Sequence, residues 1–375
     1  MTNPRARLLL TVAIALGAVG AIIMLLGPDN VWKPLGIFAL KPHFADARVI
    51  TAAAESYAEG YEVLHENPND PWGRKLNYPR IWQLLFVLNL DQSDTTLLGL
   101  AFIALFVAGL LLLLWSVPDT RPGVFLLAAL SPAVLFGIER ANTDLVIFFL
   151  LSLAAFVAPR GIGCAMILII ASSILKLYPI CGTALVLRSG RTKFIIYSIL
   201  SLFVMVSYII LTYEDIRLIS DATPRDADWS YGMNVISIKV ARNRPELGRV
   251  LAIVSSLTAL ASLAYAATAL PRPVTATQAG CDSKLDYFRM GAAIYSGTFM
   301  IGSNYDYKMV FLLMAVPQLQ YWWSAASGSL RWQARTTLVA LLISMWALPI
   351  LKLSQAVPYG YHLGFILDEI ANWTV

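Results

Sequence analysis

Three cysteines and three histidines are all that 375 residues hold, and charged residues make up only 14% of the chain. Cys164 and Cys181 fall in apolar stretches and Cys281 in a polar connector, so no disulfide framework and no metal-ligand spacing can be drawn. No pair of carboxylates has a spacing that argues for a metal either, so no metal and no other cofactor is expected. Internal repeats and low-complexity tracts are missing too, and one polytopic domain, 1–375, suffices. So little charge excludes an ordinary soluble domain. What fills the chain instead is 58% hydrophobic residues with a mean hydropathy of +0.66, the composition of an integral membrane protein.

Apolar runs near the roughly 20 residues that cross a bilayer occur at about 8–26, 97–117, 124–138, 145–158, 194–212, 250–270, 287–301, 309–323 and 336–351. A further run at 162–187 is too long for one span and too short for two. The expected fold is therefore all-α and polytopic, with about 9–11 transmembrane helices, because a barrel would show short alternating segments. The run after Arg5 and Arg7 is too long for a signal-peptide core and reads as a retained first span. With that end in the cytoplasm, Arg121, Arg160, Arg188, Arg191, Lys193, Arg272, Lys284, Arg289, Arg331 and Arg335 share its side. Only Asp119, Asp282 and Asp286 join them there, so acids are scarce on that face. This is the positive-inside pattern. The formal charge of +5 then reflects topology, and no nucleic-acid partner is expected. The N-terminus is expected in the cytoplasm and the C-terminus outside, with two long outer loops at 27–96 and 213–249. The connector 271–283 is expected in the cytoplasm.

The 162–187 run contains Lys176-Leu177-Tyr178-Pro179 between basic flanks that both favour the cytoplasm. A broken pair of helices that enters and returns fits this, with Pro179 starting the second limb. Lys176 would then sit at depth, either snorkelling or paired with an anion.

In the first outer loop, a helix from Asp46 to about Leu64 would place Glu55, Glu59, Glu62 and Glu66 on one watery stripe. At about 100° per residue, Asp46 lies nearly opposite, with Ile50, Ala53, Tyr57 and Leu64. Asp46 is thus expected to face protein or lipid, although a carboxylate favoured at a helix N-terminus by the dipole reads the same way on spacing alone. Other polar clusters at helix ends are expected around one outer cavity. They are Asn77-Tyr78-Pro79-Arg80, Glu139-Arg140-Ala141-Asn142-Thr143-Asp144, Lys176 and Asn304-Tyr305-Asp306-Tyr307-Lys308.

These clusters resemble the C-type glycosyltransferase superfamily, in particular the polyprenyl-phosphate-mannose-dependent mannosyltransferases of family 87. The resemblance is carried by Asp46 to Gly60-Tyr61, Tyr78-Pro79-Arg80, Glu139-Arg140-Ala141-Asn142, Lys176-Leu177-Tyr178-Pro179, Asn234-Val235-Ile236-Ser237-Ile238 and Asp306-Tyr307-Lys308. Arg80 stands where the family has a second proline, Glu139 and Arg140 replace a glycine-bearing turn, and Lys308 replaces arginine.

The resemblance implies a membrane glycosyltransferase of the cell envelope, a hexosyltransferase with mannose as the family default. The donor would be a polyprenyl-phosphate sugar, entering laterally from the bilayer of the inner membrane. The acceptor would be a glycan or glycolipid on the outer face, attacking with inversion. Asp46 is the implied general base, a role worth typically about 10²- to 10⁴-fold in rate. Arg80, Arg140, Lys176 and Lys308 are the cations available to the departing lipid phosphate, with arginine the better phosphate fork. Tyr78, Glu139, Asn142, Tyr178, Asn234, Asn304, Asp306 and, more weakly, His362 complete the expected substrate contacts. The competing readings are a transporter or flippase, and a ligase, for lipid-linked sugars. A transporter would show repeated halves with paired broken helices, whereas the sequence offers one broken-helix candidate and no partner for it.

Overall fold

A computed structural model describes residues 3–224, 226–269 and 283–375. Arg272, Cys281, Asp282 and most of the expected connector lie outside the described residues. The chain is all-α, with a single two-residue strand pair among the described residues. Four helices there are long and apolar enough to cross a membrane: Arg5–Leu26, Gln92–Ser116, Arg191–Leu211 and Pro245–Ala266. Counting each of two bent pairs as one span, Pro122–Ala129 with Pro132–Arg140 and Gly328–Met345 with Ala347–Ser354, gives six. On Arg191–Leu211 the side chains of Ile199, Phe203 and Ile210 are exposed. Such a surface is at home in lipid and costly in water. The protein is a polytopic membrane protein.

Several other apolar runs do not form single continuous helices. The 309–323 run divides into a 3-10 segment, Asp306–Met314, and a helix, Val316–Ala325, with Pro317 in the first turn of the second. Proline lacks the N–H that an uninterrupted helix would require there, so the break falls where the first turn needs no donor. The 162–187 run likewise divides into Ile162–Leu175 and the 3-10 segment Tyr178–Ser189, with Pro179 opening the second limb. The two limbs pack against each other, as expected of a broken pair.

Two compact units make up the chain. One comprises Phe38–Ser116 and Leu135–Pro224. Here Thr95–Ser116 packs along Asp144–Val157, with Phe106 edge-on to Phe148 at 5.1 Å. Glycines make the approach close. A Cβ on Gly109 would lie 3.0 Å from the Phe148 ring and from the Phe149 backbone, and one on Gly99 would lie 2.8 Å from the Phe44 ring and 3.1 Å from Ala141 Cβ. Phe44 and Ala141 both hold positive φ, 59° and 46°, and each lies one residue or two from a polar side chain of the candidate site. Gly99→Val should therefore destabilise the protein by about 1–3 kcal/mol through overpacking, and should disturb the Asp46 turn as well. Thermal unfolding in detergent measures the first effect, and an unchanged melting temperature would contradict the packing described.

The other unit comprises Met1–Ile37, Val117–Val134 and Arg225–Val375. Ser230–Tyr231 pairs antiparallel with Asn304–Tyr305. The turn beside this ladder requires glycine: Gly232 has φ +133°, and a Cβ on it would fall 1.7 Å from the Gly302 carbonyl oxygen. Tyr231 stacks on Tyr295 at 5.2 Å. The last helix, Gly360–Thr374, buries Asp368, Glu369 and Asn372 while exposing Leu363, Ile366 and Ile370. A helix with polar residues inside and apolar residues outside suits lipid, not water.

Asp228 ties that helix to the 226–242 segment. It accepts hydrogen bonds from Lys239 at 2.6 Å, Tyr361 at 2.9 Å and Arg242 at 2.8 Å, and Arg242 also pairs with Asp226. Burial pushes the Asp228 carboxyl up, but the hydrogen bonds from Lys239, Arg242 and Tyr361 outweigh it and hold the group at about 2. A depressed carboxyl contributes stability above its ordinary value near 3.8 and loses that contribution as pH falls through about 2. Wild type should thus lose stability between pH 4 and pH 2 that Asp228→Asn never had. Equal pH slopes for the two proteins would contradict the tie.

Candidate functional site

Asp46 begins a helix, Ala45–Ala58, that the chain enters through Phe44 in the left-handed conformation. The helix is shorter than the sequence suggests. Glu59 caps it and Gly60 turns away at φ +93°, so Glu62 and Glu66 are not on its stripe. Glu55 is half-buried and accepts a hydrogen bond from Gln92 at 3.2 Å, while Glu59, Glu62 and Glu66 are exposed. Tyr57, expected on the buried face, is exposed and meets the Phe86 ring at 5.5 Å. The buried stripe does contain Ile50 and Ala53. Asp46 is turned toward protein, its side chain 16% exposed.

The partner of Asp46 is Asn142. Helix Pro132–Arg140 ends, Ala141 takes positive φ, and Asn142 sits in the short turn before Asp144–Val157. Asn142 Nδ2 donates to Asp46 Oδ2 at 2.6 Å. Its Oδ1 accepts from Lys176 Nζ at 3.1 Å and from the Asp144 backbone N–H at 2.8 Å. Two obligate donors on Oδ1 settle the amide orientation, since the NH₂ group could accept from neither. Asp46 Oδ2 must therefore be an acceptor, and the other oxygen, Oδ1, has no hydrogen bond among the described residues.

Lys176 caps the C-terminus of Ile162–Leu175, directly before the break in the apolar run. Its ammonium also donates to Asp144 Oδ1 at 2.5 Å, and Tyr178 OH donates to the same oxygen at 2.6 Å. Lysine and aspartate side chains are 13% and 1% exposed. The charge buried at this depth is paired, and two of the three ammonium hydrogens have named acceptors. Lys176 lies 5.4 Å from the centre of the Tyr78 ring. Burial, with the carboxylates of Asp46 and Asp144 adding to it, pushes the Tyr78 phenol well above its ordinary value, so it stays neutral.

Arg74, which sequence reasoning did not single out, is the second neighbour of Asp46. Its Nη1 lies 3.7 Å from Asp46 Oδ1. The rest of the guanidinium is fixed: Nε and Nη2 donate to the Asp70 carboxylate at 3.1 and 2.8 Å, and Nη2 donates to the Ala45 carbonyl at 2.6 Å. Its plane lies 4.5 Å from the Trp72 ring centre. The signal for this residue was the run Asn67-Pro68-Asn69-Asp70-Pro71-Trp72-Gly73-Arg74, where Asp70 accepts from the Trp72 and Arg74 backbone N–H groups at 3.0 Å each. An aspartate followed by proline and glycine marks such a turn.

The expected phosphate cations are placed differently from one another. Arg140 faces Glu139 at 3.1 Å and donates to the Phe38 carbonyl at 3.0 Å, with its side chain 11% exposed. Glu139 in turn accepts from the Leu40 N–H at 3.2 Å, so this pair braces the 38–40 segment. Arg80 is more open, and pairs with Asp215 at 2.7 Å and Glu62 at 3.2 Å. Asn234, Asn304, Asp306, Lys308 and His362 belong to the other unit. There, Lys308 donates to Asn304 at 2.6 Å, Asn304 donates to the Thr298 carbonyl at 2.6 Å, and Asp306 is buried. His362 is exposed beside Tyr361, and the oxygen of Asn234 is buried. No group of histidine, cysteine or carboxylate side chains among the described residues has the geometry to hold a metal ion.

The chain matches no protein-family model and no curated protein by sequence. Among solved structures it is similar to the crystal structure of ArnT from Cupriavidus metallidurans in the apo state, at 14% identity, covering 96% of this chain and 78% of that one. The TM-score is 0.36. Likeness at that level carries no argument, and the functional reading rests on the site itself.

Proposed function

We propose that the protein is a membrane glycosyltransferase of the C type, moving a sugar from a polyprenyl-phosphate carrier to a hydroxyl of a glycan or glycolipid acceptor. Mannose is the proposed sugar, by the motif resemblance. The observation that carries the reading is the placement of Asp46: one oxygen is clamped by Asn142 as an obligate acceptor, and the other, 3.7 Å from Arg74 Nη1, has no hydrogen bond among the described residues. A carboxylate so held is oriented, with one oxygen left to take a proton, as a general base requires.

In the proposed reaction Asp46 takes the proton of the acceptor hydroxyl, whose oxygen attacks the anomeric carbon from the face opposite the leaving phosphate. The carbon inverts, and the bond to the polyprenyl phosphate breaks with its electron pair going to phosphate. Lys176 would meet that growing charge with its remaining ammonium hydrogen, while Asp144 and Tyr178 hold it in place. The half-exposed Arg80 is the next proposed phosphate contact. The site is proposed to open on the outer face of the cytoplasmic membrane, where the basic loops place the first long loop.

The test reconstitutes the protein in vesicles with a membrane lipid extract and a panel of radiolabelled polyprenyl-phosphate sugars. Release of polyprenyl phosphate from one of them, with transfer of label to a glycolipid, is expected. Movement of intact donor across the vesicle with no bond cleavage would establish the transporter reading instead.

A further inference from the structure

We propose that Arg74 is a second catalytic residue at this site, its Nη1 holding the oxygen of the acceptor hydroxyl whose proton Asp46 Oδ1 removes. The inference rests on the transfer reaction proposed above. A guanidinium has five N–H groups; those on Nε and Nη2 go to Asp70 and the Ala45 carbonyl, and the two on Nη1 have no acceptor among the described residues. Nη1 and Asp46 Oδ1 are 3.7 Å apart. That is too long for a direct hydrogen bond, and an oxygen about 2.8 Å from each atom would bridge them.

The occupant of that gap must accept from Nη1 and donate to Oδ1. A hydroxyl does both. A phosphate oxygen of the donor does not, because it brings negative charge against the Asp46 carboxylate and has no proton to give. A cation is disfavoured by the guanidinium itself. Water meets both demands as well, so the gap suits an acceptor hydroxyl that takes a water's place, and Arg74 then acts on the reacting oxygen.

The step balances without a further reactant. The hydroxyl O–H bond breaks and its proton goes to Asp46 Oδ1. The oxygen keeps the electron pair and forms the bond to the anomeric carbon, the phosphate leaves with the pair of the old bond, and Asp46 returns its proton to solvent. As the hydroxyl oxygen gains negative charge, the bond from Nη1 strengthens, so it favours the transition state over the ground state. The guanidinium is also preorganised. Asn67 accepts from Ser56 of the Asp46 helix at 2.8 Å and donates to the Arg74 carbonyl at 3.0 Å, so loop and base move as one piece.

Arg74→Gln and Arg74→Lys test the assignment in the vesicle assay, with polyprenyl-phosphate mannose and membrane lipid extract as the probes and thermal unfolding recorded for each variant. Lysine keeps a charge that can pair with Asp70 but lacks the planar fork, so it remains informative if glutamine loosens the loop. Both should lower kcat at least tenfold with the donor KM little changed. Asp228→Asn, in the other unit, removes the acceptor of Lys239 and Tyr361, and should lower the melting temperature while keeping kcat within twofold. If the Arg74 variants keep wild-type kcat, or if Asp228→Asn, merely destabilised, reproduces their loss, Arg74 is a brace and the proposal is wrong. Full activity of Asp46→Asn in the same assay would instead remove the base, and with it the reading on which the inference rests.

Discussion

Asp46→Asn should reduce turnover by about two orders of magnitude or more, because it keeps the size of the side chain and removes the basic oxygen. The substitution is milder structurally than it looks. Asn142 Nδ2 can still donate to the new amide oxygen, as it now donates to Asp46 Oδ2 at 2.6 Å, so the turn and the helix entry through Phe44 should survive. Donor binding should therefore stay near the wild-type level while the chemical step fails. Glu59→Gln and Glu66→Gln, on exposed side chains of the same region, should change little. A variant that binds donor and turns over normally would make Asp46 a structural cap, and the base would have to be sought among Glu139, Asp144 and Asp306.

Lys176→Met should destabilise the protein by about 3–5 kcal/mol, the range for removing one partner of a buried ion pair. The size follows from what is left behind. Asp144 is 1% exposed on its side chain, and after the change only the Tyr178 hydroxyl would still donate to its Oδ1. The Asn142 oxygen loses a donor at the same time, so the clamp on Asp46 should weaken and kcat fall as well. Lys176→Met with Asp144→Asn removes both charges together, and should recover much of the stability but not the rate. A double variant no more stable than the single one would show that the cost lies in lost packing and not in an unpaired charge.

The phase of a helix was enough to mark Asp46, since two positions nine residues apart cannot share a face at about 100° per residue. It did not give the length of that helix, because Gly60 at φ +93° ends it, and a lone glycine in a periodic run does not announce a positive φ. Asn142 and Lys176 were legible as polar residues at helix ends, but as substrate contacts. Their bonds to Asp46 and Asp144 join residues 96 and 32 positions apart, which no local pattern encodes. Arg74 was missed because it lies in a Pro- and Gly-containing loop with no period, where only the Asp70 turn chemistry hinted at order. The membrane class followed from composition, but the places where its apolar runs break did not. An apolar run looks the same to hydropathy whether it forms one helix or a 3-10 segment and a helix divided at Pro317.

The central claim is that Asp46 takes a proton during cleavage of a lipid-phosphate sugar bond. Its most direct measurement is release of radiolabelled polyprenyl phosphate by wild type and Asp46→Asn, side by side in vesicles with equal donor binding. The account predicts release by wild type and about a hundredfold less or lower by the variant. Equal release by the two proteins would contradict it.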